Sequence, residues 1–570
     1  VRASRHGRPV HRVRKLIAAA VAAVALGAGA FAMTAQASED APTDKYRAPK
    51  GYTTVSEPSA QQRIIGGTDT TFSKAPYMVQ LLYDVYGDGY LYFNCGGTLV
   101  APNKVLTAAH CIRPSSAETY NYPAKGLILG GTALVGGGPN DEGTAVNVSR
   151  VWIHPGWNPD AGSQNDIAVM TLSKPLPYAT LPMAGPEDAA SYAPGTQGIA
   201  LGWGLTSGTG NELASTLQQV TLPLNADSAC QENLGEFGYT SNGTMLCAGQ
   251  QGTGSDATGK TTCPGDSGGP LIVKGKIVGI VSWGVGSDVE HCNMQGYYEA
   301  FTKVSSYKGQ AQGRVDDTDL SRDGRADLFA RTSAGADYSF NSNGVAFAGK
   351  YAVSGSYTAY NLVVQTDLNR DGLQDFVARK TSNGELYWIR RTLSSTTYSA
   401  VRIATGYGSY RAILAPGDVT GDRKPDVVGV SSSGVPVVLP GNGNGTVGTV
   451  QVVGSGYSRF NAVRGHGDFT NDGRTDLVAR ESSSGALYLI PGTGSASAPF
   501  GTPVRVAEGW SSYNAIASLG DVSGDGIADL VTRKSDGTLQ LHRGTGQSGT
   551  GMLRAPIQAG TGFGSFNLFG

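Results

Sequence analysis

Apolar residues along this chain come in short runs set between glycine-rich and polar stretches. Val105-Leu-Thr-Ala-Ala109, Ile167-Ala-Val-Met170, Leu328-Phe-Ala330, Phe376-Val-Ala378, Val427-Val-Gly429, Leu477-Val-Ala479 and Leu530-Val-Thr532 are of this kind. Runs this short, bounded by turn residues, predict strands rather than helices. Two stretches depart from the pattern. Leu16 to Met33 is one apolar, alanine-rich run, and Ser38 to Arg63 is polar, with Pro42, Pro49 and Pro58 and no apolar period. The second reads as a linker or propeptide over 38–63. Beyond Lys308 the runs acquire a period of about fifty residues, the signature of an array or propeller.

Composition sharpens this to an all-β chain of at least two domains. The 570 residues exceed one ordinary domain. Gly is abundant at 82, Tyr (26) outnumbers Phe (15), and only 16% of residues are charged, which favours turn-rich β structure. A net charge of −1 supports neither nucleic acid nor an anionic membrane surface as partner. All six cysteines fall between Cys95 and Cys292, as in a secreted domain with three local disulfides. Arg2, Arg5, Arg8, Arg12, Arg14 and Lys15 form a basic head before the apolar run, and Ala35-Gln-Ala37 follows it. This is the pattern of a signal peptide over 1–37, cleaved after Ala37, with no stable membrane anchor. With no adjacent arginine pair, the general secretory route is expected, and Val1 reads as a translated GTG start. The expected location is extracellular.

The chemistry centres on Thr261-Thr-Cys-Pro-Gly-Asp-Ser-Gly-Gly-Pro270. Ser267, flanked by glycine in a tight turn, suits an exposed nucleophile, and the N–H groups of Gly265 and Ser267 suit an oxyanion. His110, in Val105-Leu-Thr-Ala-Ala-His-Cys111, suits the base, and Asp166, at the mouth of an apolar strand, suits the group that fixes the imidazole tautomer. Cutting after Arg63 would free the amine of Ile64 in Arg63-Ile-Ile-Gly-Gly67. A buried ammonium needs a counter-charge, for which Asp266 is the candidate.

The motifs IIGG, CGGTLV, TAAHC, NDIAVM, GWG, MLCAG, GDSGGP and VSWG, in this order from Ile64 to about Lys308, resemble the chymotrypsin/trypsin family of serine proteases. The resemblance implies a double β-barrel over 64–308, hydrolysis of protein or peptide substrates through an acyl-enzyme, and zymogen activation, which an uncharged primary pocket would leave to a separate activating protease. It also implies the pairings Cys95–Cys111, Cys230–Cys247 and Cys263–Cys292. Substrate would bind along Ser282, Trp283 and Gly284, with Thr261 at the base of the primary pocket and Gly296 on its wall. Trypsin-like members carry aspartate where this chain has Thr261. An uncharged, open pocket favours apolar or aromatic residues before the scissile bond, while Asp288 or Glu290 reaching in from the side would restore cleavage after Arg or Lys.

The periodic half, 309–570, repeats one loop five times. The oxygen side chains at positions 1, 3, 5 and 9 are Asp319, Ser321, Asp323 and Asp327; Asp367, Asn369, Asp371 and Asp375; Asp418, Thr420, Asp422 and Asp426; Asp468, Thr470, Asp472 and Asp476; and Asp521, Ser523, Asp525 and Asp529. Such oxygens suit structural Ca²⁺, and no cofactor is expected for catalysis. Glycine at position 6 allows the sharp turn in four loops, and Arg423 replaces it in the third. Strands flank the loops, so the units resemble FG-GAP/VCBS repeats, which implies a β-propeller of about five blades. Phe566-Asn-Leu-Phe569 repeats Phe460-Asn-Ala-Val463 and Tyr513-Asn-Ala-Ile516 with no loop after it, so the last strand is expected to complete the first blade and close the ring. Tyr357, Tyr407 and Trp510 are candidates for contact with an extracellular glycan or protein, although their recurrence fits packing better. The competing functional reading is an adhesion or carbohydrate-binding protein in which the propeller carries the main role.

Overall fold

A computed structural model describes residues 64–137, 143–287, 289–353, 357–391 and 399–570, with the backbone of the short strands Arg2–Arg5, Tyr46–Arg47 and Thr53–Thr54. Arg63, Asp288 and almost all of the expected signal and linker segments lie outside the described residues.

The first barrel contains Met78–Tyr83, Leu91–Ala101, Lys104–Thr107, Gly126–Gly130, Thr144–Ile153 and Ala168–Leu172, closed by pairing of the second strand with the third. The second contains Gln197–Gly202, Gln218–Pro223, Met245–Ala248, Pro270–Val273, Lys276–Gly286 and Glu299–Lys303, and a bridge between Leu224 and Ala248 closes it. Each barrel has its own apolar core. The cysteines pair as the resemblance implied: Cys95–Cys111, Cys230–Cys247 and Cys263–Cys292.

Five four-stranded sheets follow, and the chain's last strand, Phe566–Phe569, completes the first of them beside Leu328–Thr332. The ring is therefore closed with five blades. Tyr357, Tyr407 and Trp510 are buried, as are Tyr457 and Phe563 at the same place in their units, so the recurring aromatic packs between blades.

A repeated arginine also joins neighbouring blades. Arg331 donates to the Tyr360 carbonyl (2.6 Å), Arg379 to those of Tyr407 and Tyr410, Arg480 to those of Trp510 (3.0 Å) and Tyr513 (2.7 Å), and Arg533 to those of Phe563 (3.0 Å) and Phe566. The asparagine of the inner strand aims it: Asn361, Asn461 and Asn514 accept from Arg379, Arg480 and Arg533. The third blade has Val430 in the arginine's position, and Arg411, in the asparagine's position, makes the contact to Tyr457 and Ser458 instead.

The two halves meet through a buried ionic junction. The helix Lys308–Val315 leaves the protease, and its Arg314, 2% exposed, binds Asp521 at 2.8 Å. Arg150 of the first barrel grips Asp317 and Asp319, and Lys104 donates to the Arg314 carbonyl at 2.8 Å. Burial pulls the Lys104 ammonium down to about 8, against the pull of Asp317. Replacing Arg150 with alanine would leave two buried carboxylates without their guanidinium, at a cost of roughly 3–5 kcal/mol. The Arg150→Ala variant is expected to melt at a clearly lower temperature by scanning calorimetry; an unchanged transition would mean the junction contributes nothing to stability.

Candidate active site

His110 sits in a one-turn 3-10 helix, Ala109–Cys111, anchored by the Cys95–Cys111 disulfide. Its Nδ1 lies 2.8 Å from Asp166 Oδ2, and its backbone N–H donates to Asp166 Oδ1 at 2.8 Å. Ser282 Oγ donates to the same Oδ2 at 2.5 Å. Burial alone would raise the Asp166 carboxyl, but the His110 charge and the bonds from His110 and Ser282 outweigh it and hold the group below the usual carboxylate range. Thr302 Oγ1 fixes the Asp166 carbonyl (2.8 Å), so a strand of the second barrel holds an aspartate of the first.

Ser267 lies in a turn closed by Asp266 N–H to the Cys263 carbonyl (3.0 Å) and Gly269 N–H to the Asp266 carbonyl (2.9 Å). Gly96 N–H donates to the Ser267 carbonyl at 2.8 Å. Gly268 has φ +78°, and a methyl there would come within 2.2 Å of Thr107 Oγ1. That glycine lets the serine turn press against the strand end that leads into His110.

Asp266 is fully buried and accepts from Gly204 N–H and Cys263 N–H, both at 2.8 Å. The glycines of Gly202-Trp-Gly204 make room for it, since a methyl on either would approach its carboxylate within 2.2 or 2.4 Å. Ile64 is fully buried in the core of the second barrel, and the next residue, Ile65, accepts through its carbonyl from Thr261 N–H at 3.2 Å. The segment beginning at Ile64 is therefore tied to Thr261.

Ser282, Trp283 and Gly284 lie on the strand Lys276–Gly286. Arg2–Arg5 pairs antiparallel with Trp283–Gly286 along it, with Ser4 opposite Gly284, so this edge accepts an extended chain in β register. The residue that pairs across the sheet with Gly284 is Glu299, whereas Gly296 belongs to the preceding loop, where its carbonyl accepts from Asn233 (2.7 Å). Glu290 turns back on Ser287, with its carboxylate beside Gly254. Sequence reasoning missed Glu299 and the support that Ser282 gives Asp166; register with the Ser282-Trp-Gly284 strand was the available signal for Glu299.

Residues 64–309 match the family model described as Trypsin, and residues 367–429 and 468–532 match that of the FG-GAP-like repeat. A trypsin of Saccharopolyspora erythraea is 39% identical over 244 residues, 43% of this chain and 94% of that protein. The chain belongs to the trypsin family. A vitellin-degrading protease of Bombyx mori is 36% identical over 255 residues, 44% of this chain and 85% of its own length. A chymotrypsin-like elastase family member 1 of Macaca fascicularis is 33% identical over 266 residues, 45% of this chain and 91% of its own length. This trypsin-family serine endopeptidase thus acts on protein or peptide substrates and carries its propeller in addition to the protease domain. Among the described residues no helix is long and apolar enough to cross a membrane.

Proposed function

We propose that His110, Asp166 and Ser267 form the hydrolytic triad of a secreted endopeptidase. The His110–Asp166 pair carries the reading: two bonds to one buried carboxylate fix the ring with Nδ1 as donor. His110 Nε2 then takes the proton of Ser267 Oγ as that oxygen attacks the scissile carbonyl, and returns it to the leaving amine. The N–H groups of Gly265 and Ser267 receive the oxyanion, and water releases the acyl group by the reverse relay. Cleavage after Arg63 frees the Ile64 amine to pair with Asp266, and Ser282 to Gly284 hold the substrate backbone. Export through the segment 1–37 accounts for the three disulfides. A fluorophosphonate should label protein cleaved after Arg63 at Ser267, while uncleaved precursor and Ser267→Ala stay unlabelled; labelling at another residue would discard the triad.

For the propeller we propose structural Ca²⁺ in a subset of loops. Burial, then the neighbouring loop carboxylate, raises the first aspartates Asp367 and Asp468 to about 6, the condition of crowded carboxylates that a divalent cation relieves. Asp367, Asn369 and Asp371, and Asp468, Thr470 and Asp472, would hold the ion through hard oxygens. Loops one and five fit less well, because Arg150 already binds Asp319 and Arg314 binds Asp521. Backbone strain does not set the third loop apart: Arg423 there has φ +69° and Arg370 in the second loop has φ +58°, each a strain of about 1–2 kcal/mol.

The ninth aspartates Asp327, Asp375, Asp426, Asp476 and Asp529 are 0% exposed, and each receives a backbone N–H from the strand or turn that follows: Ser342, Arg391, Gly441, Gly492 and Gly544. They tie the loop to its own blade. Consistently, no described loop brings three carboxylates within 4.8 Å of one another. Ca²⁺ binding by equilibrium dialysis should therefore saturate below five ions, and chelation should lower the propeller's melting temperature; five ions, or no response to chelation, would refute this.

A further inference from the structure

Thr261 alone makes the primary pocket look uncharged, but a second strand delivers a carboxylate to it. Glu299 opens the strand Glu299–Lys303 and is 6% exposed. Thr261 Oγ1 donates to Glu299 Oε1 at 2.7 Å. A methyl on Gly284 would come within 2.3 Å of Oε2. One carboxylate therefore spans from the residue at the pocket base to the residue on its wall, and Gly284 leaves the space it needs.

We propose that Glu299 is the specificity-determining residue of this protease and that the enzyme cleaves after arginine and lysine. This rests on the Ser267 site proposed above. A guanidinium or ammonium entering a buried pocket loses its water and needs charge-assisted bonds in return. The Glu299 carboxylate supplies them where the Thr261 hydroxyl cannot, and the Thr261 bond restricts its orientation. An aromatic or aliphatic side chain in the same space would leave the carboxylate desolvated against hydrocarbon, which disfavours the neutral substrates that Thr261 suggests. The acidic group thus comes from a cross-strand neighbour of Gly284 rather than from Asp288 or Glu290. Arg63 is then a residue the enzyme itself can cut after, so the precursor becomes its own substrate for activation.

The test uses full-length protein cleaved after Arg63, titrated with fluorophosphonate to count active sites, on peptides that differ only in the residue before the scissile bond. Wild type should favour Arg and Lys over Tyr and Leu in kcat/KM. Glu299→Gln should lose about 10²- to 10³-fold on Arg and Lys while keeping or gaining activity on Tyr and Leu. Benzamidine, a soluble amidinium, should compete with substrate in wild type, a readout that stands even if the variant misfolds. A titratable enzyme that prefers Tyr or Leu, or ignores benzamidine, overturns the role of Glu299 and leaves the Ser267 reading intact. Failure of fluorophosphonate to label Ser267 removes both.

Discussion

Asp166→Asn should lower kcat about 10⁴-fold while KM stays within a few-fold. The hydrogen bonds around the carboxylate set the size of the effect. Oδ1 faces the His110 backbone N–H, a donor that cannot change, while Oδ2 faces His110 Nδ1 and the Ser282 hydroxyl. An asparagine must turn its oxygen to the backbone N–H and its NH₂ to the ring. Nδ1 then becomes an acceptor, the ring proton moves to Nε2, and Nε2 can no longer take the serine proton. Disulfides and barrels are untouched, so substrate binding survives. Steady-state kinetics on one good peptide would check this; a loss below about tenfold would show that Asp166 does not set the tautomer.

Removing residues 566–570 should unfold the ring's first blade and lower the propeller's melting temperature by about 10 °C or more. This strand contributes a ladder to Leu328–Thr332, and Gly570 exchanges N–H and carbonyl bonds with Phe329 at 3.0 and 3.1 Å. Phe566, 5% exposed, packs on Phe340 and Phe563. Losing such a phenylalanine costs about 3–5 kcal/mol, and a domain of this size shifts by about 2–4 °C per kcal/mol. The inter-blade bond from Arg533 to Phe566 goes as well. Calorimetry of the truncated protein should show the shift, with fluorophosphonate labelling of the protease half retained. A propeller transition that does not move would mean that ring closure is dispensable.

The fold was largely readable because its signals are local. Each motif near His110, Asp166 or Ser267 lies within a few residues, and the loop period carries the blades, including the return of Phe566–Phe569 to the first. What escaped depends on register between strands distant in sequence. Glu299 gains meaning only when Gly284 is seen to pair with it, and an unusual loop before it led counting to Gly296. The ninth aspartates look like metal ligands in a string, which does not show that each also accepts a backbone N–H from a residue some fifteen positions on. Arg150 carries no motif; its place on the first barrel's wall becomes informative only once the propeller docks there.

The ionic junction has a consequence for survival in a proteolytic medium. An enzyme that cuts after arginine endangers every arginine it exposes on an extended segment, and the stretch between its own halves contains one. Arg314 is buried within a helix, with its head on Asp521 and Gly324 and its carbonyl on Lys104. Neither its side chain nor its backbone can be drawn out into the strand that a protease cleft requires without breaking the junction. Under the preference for arginine and lysine proposed above, the bonds that dock the ring onto the barrels would also shield the connection from self-digestion, and the enzyme would keep its propeller for as long as the junction stays closed.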